Sequence, residues 1–153
     1  MKTTTLGAVL LSAILIATAC GTACGPKDSM TPPRDPRQEI TALSTQIRDW
    51  RREAKLPVEP RREDVIAVAP MTLEQARHVC PDSHPVPPSC GDVCSLADAI
   101  CDNAETICTL ADELGKDDKW AQDKCDSAKA SCRDAKQRCC NCSETDSQAA
   151  SGW

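Results

Sequence analysis

Large apolar side chains are scarce in this 153-residue chain, which has no Phe or Tyr and only 3 Trp. Such a sequence cannot build the core of a large enzyme domain, and its length allows one domain. The balance of 18 basic against 23 acidic residues gives a net charge of −5, so binding to nucleic acid has little electrostatic support. The sequence also lacks a Gly-rich phosphate loop, a nucleophile elbow and a defined pair of carboxylates, and we expect no catalytic activity.

Cysteine, in contrast, is abundant, with 12 residues in the chain. This much cysteine in a short exported chain is typical of a scaffold held by disulfide bridges rather than by a large apolar core. The compartment in which the protein works therefore decides how its cysteines are interpreted.

The first twenty residues have the pattern of an export signal. Lys2 precedes an apolar run from Leu6 to Ala19, which is too short to span a bilayer but suits the hydrophobic region of a signal peptide. The run ends Ile16-Ala17-Thr18-Ala19-Cys20, which resembles the lipobox of bacterial prolipoproteins. The resemblance covers residues 1–20 only, and Ala17 stands where the lipobox usually has Leu.

This resemblance implies that residues 1–19 are removed and that Cys20 carries a lipid anchor in the membrane. Gly21 after the cysteine implies sorting to the outer membrane, with the protein facing the periplasm. Ala17-Thr18-Ala19 also matches an ordinary A-x-A cleavage site, which would release a soluble secreted protein instead. Both alternatives export the chain to a compartment where thiols oxidise.

The chain after the signal divides into stretches of different composition. Residues 20–36 are expected to form a flexible tether and residues 143–153 a disordered tail. Between residues 37 and 56, apolar residues recur at alternating spacings of three and four, which predicts an amphipathic helix ended by Pro57. The residues of this pattern are Ile40, Leu43, Ile47, Trp50 and Ala54.

Residues 57–89 are rich in proline and are predicted to be mostly linker. Thr72 and Gln75 have the spacing of a capping box, in which each side chain satisfies a backbone N–H of the other residue. A short helix over residues 73–80, ending before Pro81, is therefore expected within the linker.

Two groups of cysteines between residues 90 and 142 each repeat at intervals of seven residues. The first group is Cys94, Cys101 and Cys108, and the second is Cys125, Cys132 and Cys139. Both groups lie in proline-free segments, and between them Gly115 provides a helix stop and Asp118 a helix N-cap. An antiparallel helical hairpin over residues 90–142 follows from this pattern.

Helix geometry restricts how these cysteines can pair. Seven residues advance a helix by about 10.5 Å, whereas the Cα atoms of a disulfide lie ~4.4–6.8 Å apart, so cysteines on one helix cannot join each other. In a pair of antiparallel helices, the residue numbers of any two facing positions add to the same total. One set of cysteine pairs meets this condition, and half of its total falls in the predicted turn. It comprises Cys94–Cys139, Cys101–Cys132 and Cys108–Cys125; Cys90–Cys142 nearly meets the condition, which leaves Cys80–Cys140 as a fifth pair.

Metal binding is the alternative use of the thiols. Facing thiolates would suit Cu(I), because soft ligands select it, and the segment Arg138–Cys142 is the part of the chain most like a thiolate metal site. His78, Cys80 and His84 could ligate zinc. Because facing thiols in an oxidising compartment usually form disulfides, we favour bridges and expect neither a metal nor another cofactor.

A second apolar pattern flanks the cysteines on the first hairpin helix, and we call it the apolar stripe. It comprises Leu96, Ile100, Ile107, Leu110 and Leu114. An exported protein would not leave this strip in water, so either the helix 37–56 or a partner's helix covers it. The matching length and spacing of the two patterns favour the chain's own helix and thus a three-helix bundle.

The sequence therefore predicts an all-α, disulfide-stapled hairpin packed on an N-terminal amphipathic helix. The expected function is that of an exported, lipid-anchored, non-catalytic cell-envelope protein that acts as a structural or protein-interaction module. The alternative is a periplasmic protein that binds or stores Cu(I) or Zn through thiolates. The expected partners of the lipid-anchored protein are the membrane and either an envelope protein or a second copy of the chain joined through Cys24, the cysteine that lipidation and the five bridges leave unpaired.

Overall fold

The computed structural model describes residues 34–81 and 86–143, and within these ranges the chain forms helices and no β-strand. The helices are α1 (Pro36–Glu53), α2 (Arg62–Val68), α3 (Leu73–Arg77), α4 (Gly91–Leu114) and α5 (Lys119–Cys140), with a short 3₁₀ turn at Pro88–Cys90. Cys20, Cys24, the predicted signal, His84 and nearly all of the tether and tail lie outside the described residues. Within the part of the chain that is described, no helix has the length and apolarity to cross a membrane.

Local sequence explains where α1 begins. The Asp35 carboxylate accepts a hydrogen bond from the backbone N–H of Arg37 at 3.0 Å. Pro36 occupies the first helical position, where a backbone N–H would have no partner within the helix. Its apolar face is the predicted one, with Ile40 and Ile47 buried.

The end of α1 differs from the prediction, because the helix stops at Glu53 rather than at residue 56. Lys55 adopts the left-handed backbone conformation, with φ of 60°. The N–H groups of Lys55 and Leu56 then donate to the carbonyls of Arg52 and Arg51, which is the Schellman arrangement that closes many helices. A turn at Lys55, and not Pro57, therefore ends the helix.

Helices α4 and α5 form the predicted antiparallel hairpin. Gly115 ends α4, and the Asp118 carboxylate caps α5 by accepting a hydrogen bond from the Ala121 N–H at 3.2 Å. Alanines alternate with the cysteines on the facing sides of both helices and are buried, which lets the two backbones approach closely. These alanines are Ala97, Ala104, Ala111, Ala128 and Ala135.

Helix α1 packs against both helices of the hairpin and completes a three-helix bundle. Ile40 and Ile47 of α1 belong to the same buried cluster as Ile100 and Ile107 of α4. The predicted all-α, disulfide-rich fold is thus confirmed.

The segment between α1 and the hairpin is more ordered than the predicted linker. Helix α2 was not expected, and α3 is shorter than the predicted helix 73–80. Both helices pack against α5, with Val68 and Ala76 buried. Lys129 of α5 is only 7% exposed and donates to the carbonyl of Ala69 at 2.9 Å, so it fastens the connection between α2 and α3 to the hairpin.

Replacing Gly115 by alanine is expected to destabilise the fold by about 1 kcal/mol or more, because alanine rarely adopts the φ of 101° found there. Gly91→Ala is the matched control, since Gly91 has helical φ of −53° and both sites have open space around an added Cβ. There alanine should raise the free energy of unfolding by about 0.4–1 kcal/mol. Thermal unfolding by circular dichroism measures both variants, and equal shifts would contradict the role of Gly115.

Candidate functional site

The ten cysteines of the described residues form five disulfide bridges. The bridged pairs are Cys80–Cys140, Cys90–Cys142, Cys94–Cys139, Cys101–Cys132 and Cys108–Cys125. Their Cα atoms lie 4.6–4.8 Å apart in the three central pairs and 5.6 and 6.0 Å apart in the two outer ones. We call this set the disulfide ladder, and its pairs are those derived from the constant-sum rule and from elimination.

The ladder bears directly on metal binding. A thiolate is the form of cysteine that ligates a metal, and each described cysteine is instead bonded to another sulfur. Cys80, one member of the candidate zinc cluster, is bridged to Cys140, while His84 lies outside the described residues. In the described ranges, no group of three or more His, Cys, Asp or Glu is arranged to hold a metal ion.

The apolar stripe of α4 lies against α1. Ile100 and Ile107 are fully buried, and Leu110 and Leu114 pack at the edge of the same cluster. Leu96 is half-buried near the start of the helix. The chain's own helix therefore covers the centre of the stripe, and a partner's helix is not needed there.

A cleft with a volume of about 330 Å³ lies where the end of α1, the start of α2 and the last turns of α5 meet. Its charged lining consists of three arginines, Arg51, Arg61 and Arg138, and two aspartates, Asp64 and Asp134. We call it the arginine cleft. The Schellman turn after α1 forms one wall, because it brings Leu56 and Pro57 beside the helix that they follow.

Arg51 is the most unusual side chain of the cleft, because it is a guanidinium that is only 1% exposed. Its Nε donates to the carbonyl of Pro57 at 2.8 Å, and its Nη2 donates to the Asp134 carboxylate at 3.0 Å. Its Nη1 is buried and has no hydrogen-bond partner among the residues that the structure describes. Burying an unsatisfied donor of a charged group is costly, so this nitrogen calls for a physical explanation.

Arg61 also lines the cleft and is largely exposed. Its guanidinium donates to both carboxylate oxygens of Asp64, at 2.8 and 3.3 Å. The hydrogen bond to Asp64, together with the charges of Asp64 and Glu63, raises the pKa of Arg61 above its ordinary value. The guanidinium therefore keeps its positive charge at any physiological pH.

The walls of the cleft are held in place by covalent and ionic links. Cys139 and Cys140 near the end of α5 are bridged to Cys94 and Cys80. On the side of α1, Arg48 forms an ion pair with Glu59 in the segment that leads to α2. Sites on such fixed elements keep their geometry better than sites on free loops.

Sequence reasoning did not find the arginine cleft, although one signal for it was present. Arg51 lies four residues after Ile47 and three before Ala54, so it belongs to the buried face of α1 rather than to its solvated face. A charged residue in that position would be expected to have a buried partner. Its partner Asp134 is 83 residues away in the chain and could not be identified from local spacing.

A larger groove of about 520 Å³ lies between the start of α1 and the second half of α4. Glu39, Glu105 and Glu113 contribute to its lining, and its threonines donate their hydroxyls to carbonyls of their own helix. Among the described residues, the buried polar side-chain atoms without a partner belong to Arg51 and Arg77 and not to this groove. Size alone therefore does not make it the better candidate.

Comparisons with protein-family models, with curated proteins and with solved structures find no match to this chain. Its function must therefore be argued from its own residues.

Proposed function

We propose that this protein is an exported, lipid-anchored and non-catalytic component of the bacterial cell envelope that acts as a structural or protein-interaction module. The disulfide ladder is the observation that carries the proposal. Five bridges in one small domain are typical of proteins that fold in an oxidising compartment. They are rare in chains that remain among the reducing thiols of the cytosol.

The lipid anchor is the part of the proposal that depends on the sequence alone. The string Ile16 to Cys20 supports it, together with the Pro- and Gly-containing segment that follows and could hold the bundle away from the membrane. Simple secretion of a soluble protein is the alternative, and the outer membrane facing the periplasm is the proposed location. A Cys24-linked homodimer at the membrane surface belongs to the same proposal, because anchoring raises the local concentration of the chain.

An interaction role fits the rigidity of the domain. The disulfide ladder, the buried alanines between α4 and α5, and the helix α1 together produce a rigid body without a large aromatic core. Rigid bodies of this kind present surface side chains in fixed positions, which favours binding. The rival proposal of a Cu(I) or Zn store needs free thiolates, and counting free thiols in the denatured, unreduced protein would distinguish the two.

Replacing Cys20 by serine is expected to move the protein from the membrane fraction to the soluble fraction of bacterial cells. The physical reason is that each buried CH₂ of an acyl chain contributes about 0.8 kcal/mol to membrane binding, and the variant has no acyl chain. Cys24→Ser is the matched control, since it removes a cysteine four residues later but leaves the lipobox intact.

Fractionation followed by mass spectrometry of the mature N-terminus measures the outcome. An unmodified Cys20 in the unsubstituted protein, or membrane binding that survives Cys20→Ser, would contradict the lipid anchor. The Cys24→Ser protein should remain in the membrane and should lack any Cys24-linked dimer.

A further inference from the structure

One of the five bridges, Cys80–Cys140, differs from the others in what else holds its two sulfurs together. The three central bridges join residues inside α4 and α5, and Cys90 lies only four residues before Cys94. When one of these four bridges opens, the neighbouring bridges and the short turn between the helices keep its two thiols face to face. Their effective concentration therefore stays high, and the bridge re-forms readily.

Cys80 has no comparable covalent support among the described residues. It lies three residues after the end of α3 and outside any helix, and it is bridged to Cys140, the last residue of α5. The next bridged cysteine along the chain, Cys90, is ten residues away. Once this bridge opens, the two thiols can therefore move apart, and their effective concentration falls.

Access for a reductant favours the same bridge. Cys80 and Cys140 are both half-buried, whereas the middle bridge of the ladder is almost completely buried. Cys108 and Cys125 are half-buried as well, but both lie inside the two long helices, which hold them together after reduction. A thiol that attacks both half-buried bridges therefore leaves Cys80–Cys140 open, whereas Cys108–Cys125 closes again.

The non-covalent contacts of α3 show what this bridge holds in place. Ala76 is buried, and Arg77 Nη2 donates to the carboxylates of Asp102 and Glu105 at 3.1 and 3.0 Å. These carboxylates are 72% and 64% exposed, so the ion pairs contribute little to stability. Arg77 Nε is buried and has no hydrogen-bond partner among the described residues, which makes the docking of α3 costly.

Helix α3 also depends on its attachments because it is short. It has only five residues, and a helix of this length is not stable by itself in water. Its start is fixed by Lys129, which donates to the carbonyl of Met71 at 3.1 Å. Its other end is fixed covalently by the bridge from Cys80 to α5. Opening the bridge therefore removes the strongest attachment at that end.

We propose that the Cys80–Cys140 bridge is a redox-sensitive latch. In the oxidised state it holds the end of α3 against the hairpin. Its reduction by a dithiol protein releases α3, while the other four bridges keep the three-helix bundle folded. This inference goes beyond the proposed function and does not rest on the lipid anchor, because it follows from the disulfide ladder and the contacts of α3.

The chemical step is thiol–disulfide exchange. A thiolate of the dithiol attacks the sulfur of Cys80, the bond between the two sulfurs breaks, and Cys140 leaves as a thiolate that takes up a proton. The second thiol of the reductant then loses its proton and attacks the mixed disulfide, which frees the thiol of Cys80. Two electrons and two protons thus pass from the dithiol, which becomes a disulfide, to the bridge, which becomes two thiols.

A redox titration of the purified, oxidised full chain tests the latch, with mixtures of reduced and oxidised dithiothreitol as the probe. Free thiols are blocked with N-ethylmaleimide, and the labelled cysteines are identified by mass spectrometry. Cys80 and Cys140 should be labelled together at a ratio of reduced to oxidised reagent at least about tenfold lower than any other bridged pair requires. Earlier or simultaneous opening of another pair would overturn the proposal.

Hydrogen exchange measures the release of α3. In protein reduced only at this bridge, the amides of Ala76 and His78, which are hydrogen-bonded within α3 and at its end, should exchange at least about tenfold faster. The amides of Ile100 and Ile107 in the centre of α4 should keep their rates. Unchanged exchange in α3, or equally accelerated exchange in α3 and α4, would overturn the latch.

Two double variants provide a matched comparison without a reductant. Cys80→Ser combined with Cys140→Ser removes the latch and should give the same fast exchange in α3. Cys90→Ser combined with Cys142→Ser removes the neighbouring outer bridge but leaves the latch, so α3 should stay protected. Equal exchange of α3 in the two variants would contradict the proposal. If either variant fails to fold, the titration and the exchange measurement on the unsubstituted protein still decide the question.

Discussion

Complete reduction of the five disulfide bridges is expected to leave this protein largely unfolded at room temperature. The reduced protein should therefore show no cooperative thermal unfolding transition. Each bridge should contribute about 2–4 kcal/mol, less where loops are nested, against a total stability of ~5–15 kcal/mol for an ordinary domain. The closed loops separate paired cysteines by 17 to 60 residues, so their loss restores much chain entropy to the unfolded state.

The composition of the core explains why little would remain after reduction. The buried cluster consists mainly of alanine and cysteine, and its fully buried large aliphatic residues are few. Once the bridges are removed, the small side chains that remain bury little apolar area, and each Å² of that area contributes only about 25 cal/mol to stability. Far-UV circular dichroism with and without reductant measures the effect, and a cooperative transition that shifts by only a few degrees would contradict it.

Two pairs of substitutions separate the contributions within the ladder. Replacing both Cys101 and Cys132 by alanine removes a rung from the middle of the bundle, where both residues are almost fully buried. Replacing both Cys80 and Cys140 by alanine releases only the attachment of the segment after α3 to the end of α5, since both of these cysteines are half-buried. We expect the first pair to lower the midpoint temperature more than the second.

The pairing of the cysteines could be predicted because two rigid geometries leave almost no freedom. A helix fixes the distance between Cys94 and Cys101, and a disulfide tolerates only a narrow range of Cα separations. The turn marked by Gly115 and Asp118 then sets the register of the hairpin. In the structure the three central pairs have nearly equal Cα separations of 4.6–4.8 Å, as a single register requires.

Helix α2 could not be predicted because its stability depends on tertiary contacts. It has seven residues, fewer than two full periods of a reliable apolar pattern, and it lies between Pro60 and Pro70. Val68 is buried while Ile66 is largely exposed, so an apolar residue type does not by itself predict which positions of this segment are buried. What holds the segment is α5, including the long-range hydrogen bond from Lys129.

The arginine cleft was missed for a related reason. Left-handed residues that end helices are usually Gly or Asn, whereas here Lys55 has that conformation. Without that turn, neither Leu56 nor Pro57 would be expected beside Arg51. The site therefore depends on two features that the local sequence does not predict. One is the left-handed backbone conformation of Lys55, and the other is the ion pair between Arg51 and Asp134, which are distant in the chain.

Replacing Ile107 by alanine is expected to lower the free energy of unfolding by about 2–4 kcal/mol, because Ile107 is fully buried between α4 and α1 and its loss leaves a cavity. Leu110→Ala is the control on the same stripe and helix. Leu110 is only partly buried at the edge of the cluster, so its truncation should cost less than ~1.5 kcal/mol.

Chemical denaturation of both variants in the oxidised state measures this difference, with the intact ladder keeping the hairpin closed. A large effect at Ile107 and a small one at Leu110 means that α1 covers the centre of the stripe in solution. Small and equal effects at both positions would instead mean that α1 leaves the hairpin, and that the stripe is open to a partner's helix. The same measurement on Ile47→Ala checks the opposite side of the contact, since Ile47 belongs to the same cluster and should destabilise by a similar amount.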